Sequence, residues 1–312
     1  MATTTNITST YAGEFAGKYV SAMLLSGNTI ANGLIEVKPN IKFKEVLKRL
    51  EIDGIVADAS CDFADTSTLT LTERIIQPKE LQVNLELCKT PFASDWEAAS
   101  MGFSAHDNLP KTFSDYFIGQ LSAKIAAKTE NDIWGGVAGA GSFDGITTLL
   151  AADAAHTGSK KITGEAITSA NVVAQLELVL LAIPEQLLQD DGLHIYVANN
   201  VYRAYTLSLG GFGAQGLGAN GVNGQGQNQS VSPTLFAGIK IVPVNGLPSN
   251  KMVATVKSNL YFGTGLLSDQ NEIKVLDMSN LDGSQNVRFI ARYTASVQYA
   301  VVEDIVSYGL GL

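Results

Sequence analysis

Three groups of residues have the types and spacing from which chemistry is built. Gly216-Leu-Gly-Ala-Asn-Gly221 matches, as a string, the glycine fingerprint that lets a backbone approach a pyrophosphate. That fingerprint works only when a strand feeds it and a helix leaves it, so that the amino end of the helix meets the phosphates. Here Val222-Asn-Gly-Gln-Gly-Gln-Asn228 follows, a composition that starts no helix. A soluble α/β enzyme using this loop for a nucleotide is therefore the weakest alternative. Asp53, Asp58, Asp62 and Asp65 form an acidic cluster. Without the glycine and closing glutamate of a calcium loop, the cluster reads as a solvated or subunit-contacting tip, not a metal site. Lys42, Lys44, Lys48 and Arg49 are its basic counterpart. They suit pairing with such a patch on another copy, contact with nucleic acid, or plain solvation.

Cys61 and Cys88 sit in no CxxC pair, and His106, His156 and His194 are scattered. No metal site is read from them, and both thiols are expected to be buried, since free cysteine behaves as a small apolar residue. No histidine has a Ser or Cys nucleophile in a recognisable motif, and GxSxG is absent. The expectation is no enzyme: no catalytic residue, no cofactor and no metal ligand.

Composition narrows the class further. The 312 residues are 46% apolar, enough for one large domain or two ordinary ones. A net charge of -9 argues against tight nucleic-acid binding through a basic face. Charged residues make up only 16% of the chain, well under the usual quarter. That suits a surface largely covered by copies of itself. Met1-Ala-Thr-Thr-Thr-Asn6 has neither the basic nor the apolar region of a secretory signal. The longest apolar run, near Val172 to Ile183, is too short to span a bilayer.

The elements that must position these residues begin with an arm. Tyr11 to Leu25 reads as a short helix, Leu34 to Val37 as extended, and Ile41 to Leu50 as a helix with Phe43, Val46, Leu47 and Leu50 apolar. Gly54 to Ala57 and Leu69 to Leu87 alternate as half-buried strands. They form a long β-arm with its tip near Asp62 to Ser67, and Pro78 lies at an edge or bend. Such a ribbon is marginal alone and needs a surface to lie on. Phe113, Phe117, Leu121, Ile125 and Ile133 define a helix from Phe113 to Trp134, about 33 Å long at roughly 1.5 Å per residue. Lys111, Lys124, Lys128, Glu130 and Asn131 lie mostly off that stripe. Thr112 and Asp115 make a capping box, and Gly135-Gly136 stops the helix through left-handed glycine. A glycine-rich loop, 137–146, follows. Ala170 to Ala182 is a second helix with Val172, Leu176, Val179 and Ile183 inward, Leu193 to Ala198 a buried strand, and Asn199 to Leu209 a helix. Residues 210–229 form a loop. Strands close the chain at Ile239 to Val242, Met252 to Val256, Leu260 to Phe262, Ile273 to Leu276 and Val287 to Val302.

This order resembles the HK97-fold major capsid proteins of tailed bacteriophages. The matching residues are Leu121, Ile125, Glu130, Asp132, Gly135-Gly136 and Gly145-Ile146, then Phe236-Ala-Gly-Ile-Lys-Ile-Val-Pro-Val244, Leu247-Pro248 and the closing Val287-Arg-Phe-Ile-Ala-Arg-Tyr293. Thr70 to Lys89, with Trp96 soon after, is similar to a form found among phages and prophages of Bacteroidota. The resemblance implies an α+β, HK97-like capsid fold with five parts. These are an N-terminal arm (1–49), an extended β-hairpin loop (50–92), a peripheral domain with a spine helix (93–146), an axial domain (147–280) and a peripheral return strand (281–312). It implies a virion subunit, assembled in a host bacterial cytoplasm, that forms pentamers and hexamers of an icosahedral shell around double-stranded DNA. The implied partners are its own copies, a portal, separate scaffolding or cement proteins, and DNA held by weak non-specific contact, with no membrane. An encapsulin-like compartment shares the fold and is the alternative. The candidate subunit contacts are Asp58, Asp62, Asp65, Lys79, Val83, Leu85, Lys42, Lys48 and Arg49. On this reading Val83→Asp or Leu85→Asp abolishes assembly and leaves soluble monomers.

Overall fold

The computed structural model describes residues 28–53, 68–88, 111–208, 235–265, 274–278, 283–284 and 286–310. The chain opens with α1 (Asn28–Ala31), β1 (Glu36–Lys38), β2 (Glu45–Asp53), β3 (Thr68–Ile76) and β4 (Lys79–Cys88). Next come α2 (Lys111–Gly135), α3 (Ile146–Ala152), β5 (Lys161–Ile162), α4 (Val172–Ala182), β6 (Leu193–Ala198) and α5 (Asn199–Ser208). The remainder is β7 (Leu235–Phe236), β8 (Ile239–Val244), β9 (Met252–Val256), β10 (Leu260–Gly263), β11 (Lys274–Asp277), β12 (Asn286–Tyr299) and β13 (Val306–Tyr308). The expected helix at 11–25, the glycine string at 216–221 and Asp58, Asp62 and Asp65 lie outside the described residues.

Strands among the described residues build three sheets. In one, β12 pairs antiparallel with β4, β10 and β11, and β1 adds parallel to β10. β12 alternates buried Val287, Phe289, Ala291, Tyr293 and Ala295 with exposed Arg288 and Arg292, the period-2 pattern of a half-covered strand. A second sheet runs β5-β13-β9-β6-β8-β7. β6 is buried at every residue and pairs parallel with β8, as strands covered on both faces do. β2 and β3 form the third sheet, a ribbon of their own. Sheet membership crosses the expected boundary at residue 280. β10 and β11 join β12, whereas β13, near the C-terminus, joins the six-stranded sheet.

The long helix matches its expected span within two residues. Ile118, Ile125, Ala126, Ile133 and Trp134 are buried, while Lys124 and Lys128 are exposed. The side chains of Thr112 and Asp115 lie outside the described residues. Glu130 corrects the sequence reading, because it is buried, only 4% exposed. Its Oε2 accepts the Thr29 N–H at 3.1 Å, and its other oxygen accepts the Thr29 hydroxyl. Trp134 Nε1 donates to the same hydroxyl at 2.8 Å. The arm crosses the helix there, so a position off the apolar stripe is covered all the same. The helix stop is also different in kind. Neither Gly135 nor Gly136 has a positive φ. A Cβ on Gly136 would stand 2.3 Å from the Phe143 carbonyl oxygen, and one on Gly145 would stand 2.5 Å from that of Asp132. Close backbone approach, not left-handed geometry, requires glycine here.

Two further expectations are corrected. Residues 45–53 form a strand, not the end of a helix. Val46 and Leu47 are neighbours in sequence, so the apolar spacing looks helical. In the ribbon they sit on opposite faces, one outward and one against the body. β3 supplies the cross-strand partners that decide the matter. The ribbon therefore pairs 45–53 with 68–76, and the chain breaks at Gln77-Pro78, the bend expected for Pro78. β4 leaves the arm for the body. Val83 and Leu85 are half-buried opposite Ala291 and Phe289 and pack on the core. A carboxylate there would be desolvated within the subunit, so Val83→Asp and Leu85→Asp report on folding before assembly.

Candidate assembly surface

Cross-strand register sorts the ribbon into two faces. One carries the pairs Glu45/Ile76, Leu47/Arg74 and Arg49/Thr72. This face is clamped to the body. Leu47 and Ile76 are buried, and Arg74 Nη2 meets Asp153 Oδ2 at 2.6 Å. The Arg74 guanidinium also lies 4.4 Å from the ring centre of Tyr299, whose hydroxyl donates to Asp153 at 2.7 Å. Arg49 meets Glu303 at 2.8 Å, and Lys38 meets Glu45 at 2.6 Å. Burial pushes the Asp153 carboxyl up, but bonds from Tyr299, the Ala155 N–H and Arg74 outweigh it and hold the group at about 2.

The opposite face carries Val46/Ile75 and Lys48/Glu73, then Leu71 and Leu69. Here Val46, Leu71 and Ile75 are exposed, and Leu69 is 64% exposed. Lys48 and Glu73 stand 3.7 Å apart on this face in open solvent, a pair that contributes little. Each large apolar side chain is worth about 1.5–3 kcal/mol when fully covered. One face of the ribbon is thus apolar and uncovered among the described residues, while its other face is fastened down.

The remaining sequence candidates are scattered. Lys79 Nζ donates to the Ser142 carbonyl at 2.8 Å and to that of Gly139, so it pins the glycine-rich loop. Lys128 Nζ reaches Asp132 at 2.7 Å and Ser142 Oγ at 2.6 Å, fastening the same loop to α2. Lys42 is exposed. Cys88 is half-buried, not buried as expected, and Cys61 lies outside the described residues. His156 is buried with Nε2 2.6 Å from Ser307 Oγ, and His194 Nδ1 lies 2.6 Å from the Gly192 carbonyl oxygen. Burial lowers the pKa of both rings, keeping them neutral. Among the described residues no three metal-ligating side chains gather, and no helix is long and apolar enough to cross a membrane. Sequence reasoning missed Arg74 and Asp153, and read Glu130 as lying off the apolar stripe. The available signal was Arg74 itself, a charge at the inward parity of a strand whose inward neighbours, Leu47 and Ile76, are apolar.

No family model and no curated protein matches this sequence. Similarity appears in three dimensions. The satellite phage P4 procapsid, in a structure that includes its size determination protein, contains a similar chain at TM-score 0.58 and 11% identity. That match covers 96% of this chain and 92% of the other. The capsid of a native GTA particle is similar at TM-score 0.57 and 13% identity, over 92% and 89%. A virus-like particle from Pyrococcus furiosus follows at TM-score 0.51 and 10% identity, over 93% and 96%. At such identities the likeness speaks for the fold. The chain has an α+β fold shared, over nearly its whole length, with phage capsid proteins.

Proposed function

We propose that this chain is a structural, non-catalytic subunit of a tailed-phage head of the HK97 type, self-assembling as pentamers and hexamers into an icosahedral shell around double-stranded DNA. The observation that carries the reading is the ribbon: apolar and uncovered on one face, held to its own body by Arg74 and Arg49 on the other. A subunit built this way is completed by a neighbour lying under Val46, Leu69, Leu71 and Ile75. The fold shared with capsid chains supports it. In this reading the residues before 45 are the arm and the ribbon is the extended loop. The β12 sheet with α2 is the peripheral domain, and the six-stranded sheet is the axial one. A portal, scaffolding or cement proteins and weakly held DNA are its partners, and the virion is its destination.

A second reading is an encapsulin-like compartment with protein inside, whose shell, though not its contents, the likeness to the Pyrococcus furiosus virus-like particle supports. Electron microscopy of the purified protein tests the shared part, with closed particles expected. A compact monomer at high concentration refutes it. The particle contents, DNA or enzyme, separate the two readings.

A further inference from the structure

α4 is apolar on both sides. Val172, Leu176 and Val179 are fully buried against the body, yet Val173 and Leu178 are exposed and Leu181 is 75% exposed. A helix apolar all round belongs in an interior. The outward ridge at i, i+4 spacing is Val173-Glu177-Leu181, a single acid between two apolar residues.

α5 carries a matching ridge. Val201, Ala204 and Tyr205 are buried, and Asn199, Arg203 and Leu207 face outward, a single base beside an exposed leucine. The charge difference extends beyond the two helices. Residues 162–202 contain no lysine or arginine, and residues 192–268 contain no aspartate or glutamate. Among the described residues Glu177 and Arg203 each lack an ion pair within the chain.

Placement completes the argument. α4 packs on β13, toward the β5 edge of the six-stranded sheet, and α5 packs on β6 and β8, toward the β7 edge. The two helices also touch, so they form one layer with an acidic, apolar side and a basic, apolar side. A head-to-tail contact joins two different patches of one subunit and closes into a ring. Opposite single charges on apolar ridges fix the partner and its register. We infer that α4 of one copy docks on α5 of the next around the capsomer ring, with Glu177 facing Arg203 and Val173 and Leu181 against Leu207. This contact rests on the shell reading above and is separate from the ribbon.

Reciprocal charge exchange tests it. Glu177→Arg and Arg203→Glu each lower the yield of closed particles at least tenfold in sedimentation and electron microscopy, with circular dichroism unchanged. The double variant restores the yield. Independently, a Glu177→Cys chain mixed with an Arg203→Cys chain forms a disulfide-linked dimer on assembly that neither chain forms alone. Single variants that assemble like the unaltered protein, a double variant no better than the singles, or absence of the mixed dimer overturn the contact while the shell reading stands. Failure of the unaltered protein to form particles overturns both.

Discussion

Arg74, on the inward face of the ribbon, lies 2.6 Å from Asp153, the residue at which α3 ends, and stacks on Tyr299 at the end of β12. One arginine thus joins the extended limb to two elements of the body. Because Asp153 also accepts the Tyr299 hydroxyl and the Ala155 N–H, the carboxylate is held in place whether or not the ribbon is loaded.

Arg74→Ala removes one side of a partly buried, charged hydrogen bond and a cation–aromatic contact, and is expected to cost about 1–3 kcal/mol. Limited proteolysis should then cut faster between residues 45 and 76 while the body remains intact. Unchanged cleavage would mean that Leu47, Ile76 and the Arg49–Glu303 and Lys38–Glu45 pairs hold the root without Arg74.

Acid should release the same clamp. Asp153 is depressed from 3.8 to about 2 in the folded chain. Its contribution is fully present above the unfolded value and disappears as pH falls through the folded one. That contribution is on the order of 2 kcal/mol. The Tm difference between the unaltered protein and Asp153→Asn is expected to be constant above pH 5 and to shrink between about pH 4 and 2. A difference independent of pH across that range would show that the carboxylate is not held by these partners.

Substitutions on the two faces of the ribbon should separate assembly from folding. Leu69→Asp and Leu71→Asp sit on the uncovered face, so Tm should move by no more than about 0.5 kcal/mol equivalent while particles are lost. Val83→Asp, half-buried opposite Ala291, should lower Tm by several degrees before any question of assembly arises. Particles from Leu69→Asp and Leu71→Asp at normal yield would remove the ribbon from the proposed interface.

Glu130 gives a pH response of the opposite sign. Burial raises its carboxyl above the usual 4.5, with the Thr29 bonds only partly offsetting it. A raised acid favours the folded state below its unfolded pKa and loses that advantage as pH rises through the folded one. Glu130→Gln should therefore flatten the stability profile above pH 5 at little cost. Thr29→Val leaves Trp134 Nε1 and one Glu130 oxygen without the hydroxyl, the backbone N–H bond to Glu130 remaining, and should cost about 1–3 kcal/mol. Equal pH profiles for Glu130→Gln and the unaltered protein, measured by denaturant unfolding, would contradict this.

Where one element packs against one surface, its residues announced it. The stripe Val172, Leu176, Val179, Ile183 specified α4, Met252–Val256 appeared as the strand expected, and the alternation in β12 was legible because only one of its faces is lined with large side chains throughout. Local periodicity records burial by a single neighbour, and such segments keep their period wherever they dock. What the sequence could not settle were the places where two distant segments meet. Glu130 is a surface residue by helical spacing and becomes buried only because Thr29 crosses it. Residues 45–50 look helical until β3 pairs with them, and Val83 and Leu85 belong to an arm or a body depending on whether β12 is beside them. Arg74 and Asp153 are 79 positions apart, and nothing local marks either as the other's partner. Those assignments depend on contacts between remote parts of the chain, which tertiary packing alone selects.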